Sequence, residues 1–521
     1  MSSNDGWEAD RLREGLVVRG FTDDGVRLRG PVLWSPPALA EVRARVEIEV
    51  DERFPFHPPQ VRLLDPGAPL EVTFHVDRSA RLGVSGNLCL WDDVWPADRA
   101  PWTEADELLS RIAGWLELTA AGWPGDSVCD LERYLEPDPT TFVLYNAEHL
   151  ARLEGHAVRV RAGSTTGTKE IGDTPHRLKK RSGRPGFSRA DRQLAWVENL
   201  GQIHRPIRRW SDIHDVLEER ATPVERLVAA GVVNLMLLSY QRGSQQSVLA
   251  LTVKYTANGI EAQACESADT SSHTRQMRAG TTAALLADVP IAIVGCGAIG
   301  SFTAALLFRA GARRLTLIDH ERLRPGNVVR HLAGLEQVGA WKSVAVRNCL
   351  STIDPAVDAV QAMPTAISST DQAVRLLEDH RIVVDATGSA RATSMLAFAA
   401  NTTGADAGKA VVTVCSQRDG DVVRVDRLPA RSAETYLPPL PARDEPNELR
   451  EQGCGSAVSR TSPTAVVGAA GLACQVVLDE LAVPSMLPDS VAFVGRPQSE
   501  EPFTHVGLVI PESESQNTVG K

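Results

Sequence analysis

Apolar and polar positions alternate in more than one period along this chain. Near the start, Trp7 to Leu16 follows a helical spacing, and VRARVEIEV over 42–50 alternates at period two, which predicts a strand with one buried face. A stretch rich in Pro and Trp follows, and a helical pattern returns from Leu108 to Leu118. Strands followed by helices predict an α+β unit over 1–150 rather than a repeating strand–helix–strand order. Gly155 to Pro206, with the basic run HRLKKRSGRPG, reads as a partly flexible connector. Val224 to Leu238 predicts a helix and Ser247 to Tyr255 a strand, so 151–270 is expected to be a basic linker or bridging domain. From Val289 onward short β-rich runs alternate with Ala-rich helices, which predicts a doubly wound α/β, Rossmann-like domain over 271–510. The polar tail 511–521, PESESQNTVGK, is expected to be disordered.

Composition narrows the class. The 521 residues are enough for about three domains, at the usual 100 to 200 residues each. The apolar share of 43% and charged share of 23% exclude a predominantly disordered or collagenous chain. The longest uninterrupted apolar runs, such as Ala465 to Cys474, are about half a bilayer span, and the amino terminus has no apolar signal core, so a cytoplasmic protein is expected, with no membrane partner. A formal charge of −11 disfavours a nucleic-acid partner. The exception is local: 151–210 carries 14 Lys and Arg against 5 Asp and Glu, which suits either a solvated connector or a docking surface for an acidic partner. Eight cysteines at 89, 129, 265, 296, 349, 415, 454 and 474 never come closer than 20 residues, so no C-x-x-C pair can be drawn.

Two motifs carry chemistry. IAIVGCGAIGSFTAALLFRAGA sets Gly295, Gly297 and Gly300 between an apolar strand and an Ala-rich helix, where backbone amides and a helix amino terminus can meet a phosphate. The next strand ends in Asp319, nineteen residues after Gly300, placed to accept hydrogen bonds from ribose hydroxyls. Glycines alone would favour a nicotinamide-dependent dehydrogenase. Asn327, Arg330, Lys342 and, at a later strand end, Asp385 change that balance. In this order and spacing the segment resembles the adenylating enzymes of the ThiF/MoeB type, the family that includes the ubiquitin-activating enzymes. The resemblance implies ATP, with Asp319, Asn327, Arg330 and Lys342 in its site and Asp385 holding Mg²⁺. Attack of a carboxylate on the α-phosphate builds up negative charge, which such cations neutralise. It also implies a homodimer through this domain, and an Arg just before the first strand, for which Arg275 and Arg278 are candidates. Many relatives carry two C-x-x-C zinc pairs; this chain has none, so no zinc is expected.

The second motif is Phe54-Pro55-Phe56-His57-Pro58-Pro59, followed thirty residues later by Cys89-Leu90 and then by Trp95-Pro96. This resembles the ubiquitin-conjugating fold over about 30–135, which implies that Cys89 carries a modifier as a thioester. The family usually has His-Pro-Asn about eight residues before that cysteine. Here the nearest counterpart is His75-Val76-Asp77, twelve to fourteen residues before it. An ionised Asp77 would repel an oxyanion, so it is a candidate for handling the acceptor amine, and His75 for donating to the oxyanion. For the activating domain's own thiol, Cys454 in the Gly- and Ser-rich EQGCGSA is favoured over Cys415, which lies in the strand-like VVTVCSQ.

A conjugating-like domain followed by an activating-like domain is the layout of bacterial fusion enzymes of antiphage systems, above all the type II operons with a cyclic-oligonucleotide synthase (CBASS). The resemblance implies adenylation of a partner's carboxy terminus, capture on Cys454, transfer to Cys89, and delivery to an amine such as a target lysine. The partner would be the synthase itself or a ubiquitin-like protein. A NAD-binding oxidoreductase and an inactive scaffold are the remaining alternatives.

Overall fold

A computed structural model describes residues 5–37, 40–71, 74–77, 86–91, 100–178, 193–355, 357–404, 408–432, 435–441, 450 and 458–511. The chain divides into two units, Met1–Ser271 and Ser272–Lys521.

The first unit opens with α1 (Asp5–Val18) and an antiparallel sheet of β1 (Thr22–Asp23), β2 (Arg27–Trp34), β3 (Val42–Glu49), β4 (Gln60–Asp65), β5 (Val76–Asp77) and β6 (Asn87–Leu88), in spatial order 1-2-3-4-6-5. The alternation in β3 buries Ala44, Val46 and Ile48 on the same side as α2 (Ala105–Ala120), whose Leu108, Ile112, Trp115 and Leu116 recur at helical spacing. Phe54 of the Pro-rich motif is buried in the same core, and the Trp102 indole donates to the Pro55 carbonyl at 2.7 Å. β5 and β6 matter most for chemistry. Their register sets Val76 against Leu88 and Asp77 against Asn87, so His75 and Cys89 are neighbours across the ladder although the sequence separates them by a longer loop than expected.

The bridging segment is a closed seven-stranded barrel rather than a connector. It comprises β7 (Pro137–Tyr145), α3 (Ala147–Leu153), β8 (His156–Ala162), β9 (Thr168–Pro175), β10 (Leu194–Gln202), α4 (Trp210–Leu217), α5 (Ala221–Ala229), β11 (Val233–Arg242), β12 (Gln245–Thr256) and β13 (Gly259–Asp269). The strand order is 10-11-12-13-7-9-8, closed by pairing of β8 with β10. Because β7 belongs to the barrel, a boundary at residue 150 falls inside α3. Gly155 to Pro206 supplies three of the strands: Ala157 and Val158 are buried while Arg159 and Arg161 face out, and those exposed charges give the stretch its linker-like look. Of its basic run, 179–186 lie outside the described residues. The helix expected over Val224 to Leu238 stops at Ala229. Gly231 takes φ +66° and Val232 donates back to the Leu227 carbonyl, after which the chain leaves as β11. Successive β11 residues feed two apolar clusters, Leu235 and Leu237 one shared with α3, Met236 and Leu238 one shared with α4 and α5. A strand buried on both faces has no period-two signature to read.

The second unit carries α6 (Ser272–Met277), α7 (Ala283–Leu286), β14 (Ile291–Val294), α8 (Ala298–Arg309), β15 (Leu315–Ile318), α9 (Lys342–Ile353), β16 (Gln361–Met363), α10 (Thr370–Asp379), β17 (Ile382–Asp385), α11 (Ala390–Ala399), β18 (Ala410–Gln417), β19 (Val422–Leu428), α12 (Pro463–Leu481), β20 (Ser490–Val494) and β21 (Gly507–Val509). The eight-stranded sheet runs 16-15-14-17-18-19-20-21 and is mixed: the first five are parallel, the last three join antiparallel. Its faces are covered separately. Ile291 and Ile293 point into the core shared with α8 and α12, Ala292 and Val294 into the one shared with α10 and α11. α12 has 19 residues and is long and apolar enough to cross a membrane by length and composition, more than the sequence runs suggested. It packs on α8, β18 and β19, with Ala469, Ala473, Val476 and Val477 buried. The strand order reverses at β14, with β15 on one side and β17 on the other, so the loops after β14 and β17 flank one crevice.

Candidate functional site

In the second unit the glycine loop is held by steric necessity. Gly295 takes φ +88°, and a Cβ there would lie 2.8 Å from the Ala386 backbone beyond β17. A Cβ on Gly300 would meet the Gly295 carbonyl oxygen at 1.8 Å. Gly297, the cap residue before α8, has nothing within 4 Å of such a Cβ, so the space there is open. The three glycines have different tasks: two permit close packing of backbone on backbone, and one leaves room for a ligand at a helix amino terminus.

The polar residues gather around this loop. Asp319 is buried at the end of β15; its carboxylate accepts from the Cys296 amide at 2.8 Å and the Glu321 amide at 2.7 Å. Burial pushes its pKa up against the pull of those amides and of Lys342. Each oxygen retains a lone pair for a hydroxyl donor. Lys342, at the start of α9, is also buried, and its Nζ donates to Glu321 Oε2 at 2.5 Å. That bond holds the Glu321 carboxyl below its usual range. Asp385 ends β17 with 1% exposure; it accepts from the Thr387 amide at 3.0 Å, the Thr387 hydroxyl at 2.7 Å and the Thr393 hydroxyl at 2.6 Å. Asn327 and Arg330 lie in the helical turn Pro325–Arg330, where Asn327 Oδ1 accepts from the Arg324 amide and Arg330 Nη1 reaches the Thr461 carbonyl at 3.4 Å. Arg275 is committed elsewhere: it donates to buried Asp354 at 3.0 Å, whereas Arg278 is exposed.

His331 belongs to the site and was not singled out by sequence. It is buried, accepts from the Ala333 amide at Nδ1, and donates from Nε2 to the Cys296 carbonyl at 2.8 Å, fastening the glycine loop from the side opposite Asp319. Burial holds its pKa below the usual value, despite the bond to the Cys296 carbonyl. Its adjacency to the Asn327 and Arg330 motif was the only signal.

These residues fit a nucleotide with a divalent ion. Among the described residues no three His, Cys, Asp or Glu side chains gather as a metal site, so Asp385 supplies at most one ligand and the phosphates would supply others. The loop-end amides, the space at Gly297 and the Lys342 cation suit a polyphosphate.

In the first unit Cys89 lines a cleft of about 730 Å³ with Leu90, Trp91, Ser110, Trp115 and Arg133. The Cys89 amide donates to the His75 carbonyl at 2.9 Å, which also accepts from the Trp115 indole at 3.0 Å. Arg133 Nη2 approaches Cys89 Sγ at 3.4 Å. Burial raises the thiol pKa; Arg133 opposes that, and Asp77 and Asp130 reinforce it. The imidazole of His75 is stacked on Trp123 with centroids 3.9 Å apart, and its Nε2 lies 2.6 Å from Asp126. Burial works against ionised Asp126, but the Val128 amide, His75 and Arg242 hold its carboxyl below the ordinary range. Asp77 is buried on β5 and is not among the residues lining the cleft. Arg133, Asp126 and Arg242 escaped sequence reading because they lie past the motif, two of them in the run-in to the barrel and one on β11.

Cys454 lies outside the described residues. Cys415, on β18, is half-buried with its thiol pushed up to about 11 by burial, and Cys474 is buried with its thiol at about 12. The seven described cysteines are all free, and burial raises the pKa of each.

Comparison with known proteins places this geometry. Residues 273–494 match the ThiF family. The chain is 34% identical over 130 residues to the uncharacterized protein y4oA of Sinorhizobium fredii, covering 22% of each chain. It is 31% identical over 139 residues to the ATP-dependent ubiquitin transferase-like protein Cap2 of Vibrio cholerae, 26% of this chain and 23% of that one. Over 101 residues it is 35% identical to the mouse (Mus musculus) adenylyltransferase and sulfurtransferase MOCS3, 19% of this chain and 22% of that one. Each match spans less than a quarter of the relative's length.

Proposed function

We propose that this chain, whose second unit carries a ThiF-family domain, is a bifunctional conjugating enzyme. It would use ATP to adenylate the carboxy terminus of a protein partner, capture the acyl group on Cys454, pass it to Cys89 and deliver it to a lysine amine. The observation that carries the reading is the placement of Gly297, Asp319 and Asp385 at the carboxyl ends of the neighbouring strands β14, β15 and β17, with Lys342 paired to Glu321 just past Asp319.

The chemistry follows from the residues. Asp319 is placed for ribose hydroxyls, and the amides at the start of α8 for phosphate oxygens. Lys342 and Arg330 would neutralise charge as a partner carboxylate oxygen bonds to the α-phosphorus and pyrophosphate leaves. Mg²⁺, held in part by Asp385, would add positive charge at the same phosphates. Lys342 must exchange Glu321 for phosphate in doing so. In the first unit, Cys89, which lines its cleft, is the acyl carrier, and the conjugating-like reading of residues 30–135 rests on the Pro-rich motif and on the Cys89 and His75 pairing. The likeness to the ATP-dependent ubiquitin transferase-like protein Cap2 supports ATP-dependent conjugation of a protein partner; the order of the two domains is what suggests bacterial antiphage defence, with the synthase's own carboxy terminus as donor. A ubiquitin-like modifier is the second candidate donor. We place the enzyme in the cytoplasm, as a homodimer through the ThiF domain.

The test is exchange of labelled pyrophosphate into ATP in the presence of candidate partners. Asp385→Asn is the variant of choice, since Ala would leave Thr387 and Thr393 without their acceptor. Exchange should fall at least a hundredfold with an unchanged melting curve, and a partner adduct sensitive to reducing agent should disappear from Cys89. Undiminished exchange would discard adenylation at this site.

A further inference from the structure

Among the described residues Cys89 has one cation against its sulfur, and that cation comes from outside the strand and loop that present the cysteine. Arg133 lies in the helical turn Leu131–Tyr134, immediately before the first barrel strand. Its Nη2 is 3.4 Å from Sγ, and its Nη1 is 3.3 Å from Asp130 Oδ2, which fixes the guanidinium by its far edge. The turn itself is anchored: Leu131 and Tyr134 are buried in the barrel cluster, the Leu131 amide meets the Tyr240 hydroxyl, and the Tyr134 hydroxyl accepts from the His75 amide at 3.0 Å. Both the thiol and its cation are therefore mounted on the same short segment of backbone around His75.

We propose that Arg133 is a catalytic residue of the thiol site, stabilising the thiolate form of Cys89 Sγ when an acyl group arrives. This rests on the conjugating role proposed above. In the arriving step the Cys89 thiolate attacks the carbonyl carbon of a donor thioester. A new S–C bond forms at Cys89, the donor S–C bond breaks, and the electron pair leaves on the donor sulfur; no net proton is transferred. The charge is at Cys89 before the step and on the other sulfur after it, so a fixed cation at 3.4 Å sets how much of Cys89 is competent to begin. Among the described residues, the other charged groups around the sulfur do not substitute for it. Asp77 and Asp130 are anionic, His75 is engaged with Asp126, Asp106 pairs with Arg19 at 2.5 Å, and Arg111 donates to the Leu90 carbonyl at 2.5 Å. Glu107 lines the cleft as a further anion.

The test uses the full chain and reads Cys89 alone. Iodoacetamide alkylation is followed from pH 6 to 11 by peptide-resolved mass spectrometry in wild type, Arg133→Gln and Arg133→Lys, with Cys129 as an internal reference. An opposite charge at this range moves a pKa by about 1–3 units, so in Arg133→Gln the alkylation midpoint should rise by about one unit or more. At pH 7.5 that means modification about tenfold slower, and Arg133→Lys should recover most of it. Coincident midpoints in all three proteins would overturn the proposal. Arg133→Gln keeps a side chain able to bond Asp130. Should it nevertheless melt early, the Lys variant decides: a wild-type profile there supports the charge, and a raised one refutes it. Thioester formation is scored separately. Absence of any adduct in wild type would count against the conjugating role while leaving the alkylation result to judge Arg133.

Discussion

At the residue scale, the glycine loop separates space needed by the fold from space kept for a ligand. Gly300→Ala would drive a methyl into the Gly295 carbonyl, so it should destabilise the second unit by about 2 kcal/mol or more, as overpacking does, and abolish nucleotide-dependent stabilisation. Gly297→Ala meets no protein atom and should melt like wild type while losing at least tenfold in ATP affinity, measured by the nucleotide-induced melting shift. Equal affinities in Gly297→Ala and wild type would move the phosphates elsewhere. His331 gives a second residue-level expectation. Burial keeps its folded-state pKa below the ordinary histidine value, so the unfolded chain takes up a proton first as pH falls. Its contribution is whole above about pH 6.5 and drains away below it, and His380, shifted the same way by burial, adds to the slope. Melting of the second unit should therefore drop between pH 7.5 and 5.5, and His331→Gln should show a shallower drop; an unchanged slope would remove the histidine from the account. The loop and the acidic strand ends were legible in sequence because strand, turn and helix are contiguous there. The His331 side chain folds back onto the loop and the Glu321 carboxylate pairs with Lys342 twenty-one residues on, and no local pattern records either contact.

Among the elements, β11 shows what periodicity conveys and what it hides. Its run VNLMLL is buried on both faces, so it reads equally as helix, and only Gly231 marked the break. β8 erred the other way: Arg159 and Arg161 on its outer face made a strand look like linker. The parallel half of the second sheet was legible; of the antiparallel extension, β19 returns on β18 through a short turn and only the pairing of β20 with β19 joins distant segments. β11 also ends in Arg242, 3% exposed, paired with Asp126, donating to the Val128 carbonyl at 2.7 Å and lying 3.5 Å over the Phe74 ring. It clasps the barrel to the layer that carries Cys89. Arg242→Met would strand Asp126 without its cation and should cost the first unit about 3 kcal/mol by denaturant titration. Adding Asp126→Asn should return part of that loss; strict additivity of the two changes would deny the clasp.

For the whole molecule, two units with separate cores predict two calorimetric transitions. ATP at a hundred times its dissociation constant should raise one of them, by about 2.7 kcal/mol. The transition it raises should be the one weakened by Gly300→Ala and not the one weakened by Arg242→Met; a shift of both would mean that the units do not unfold independently. One property runs through both units alike: every described thiol is free and pushed by burial toward its protonated form. Peroxide and related oxidants consume thiolates, so a carrier cysteine at rest in this setting ages slowly. Sulfinate formation at Cys89 under peroxide should therefore be slower than at an exposed, acidic thiol, which peptide-resolved mass spectrometry of the oxidised chain would check.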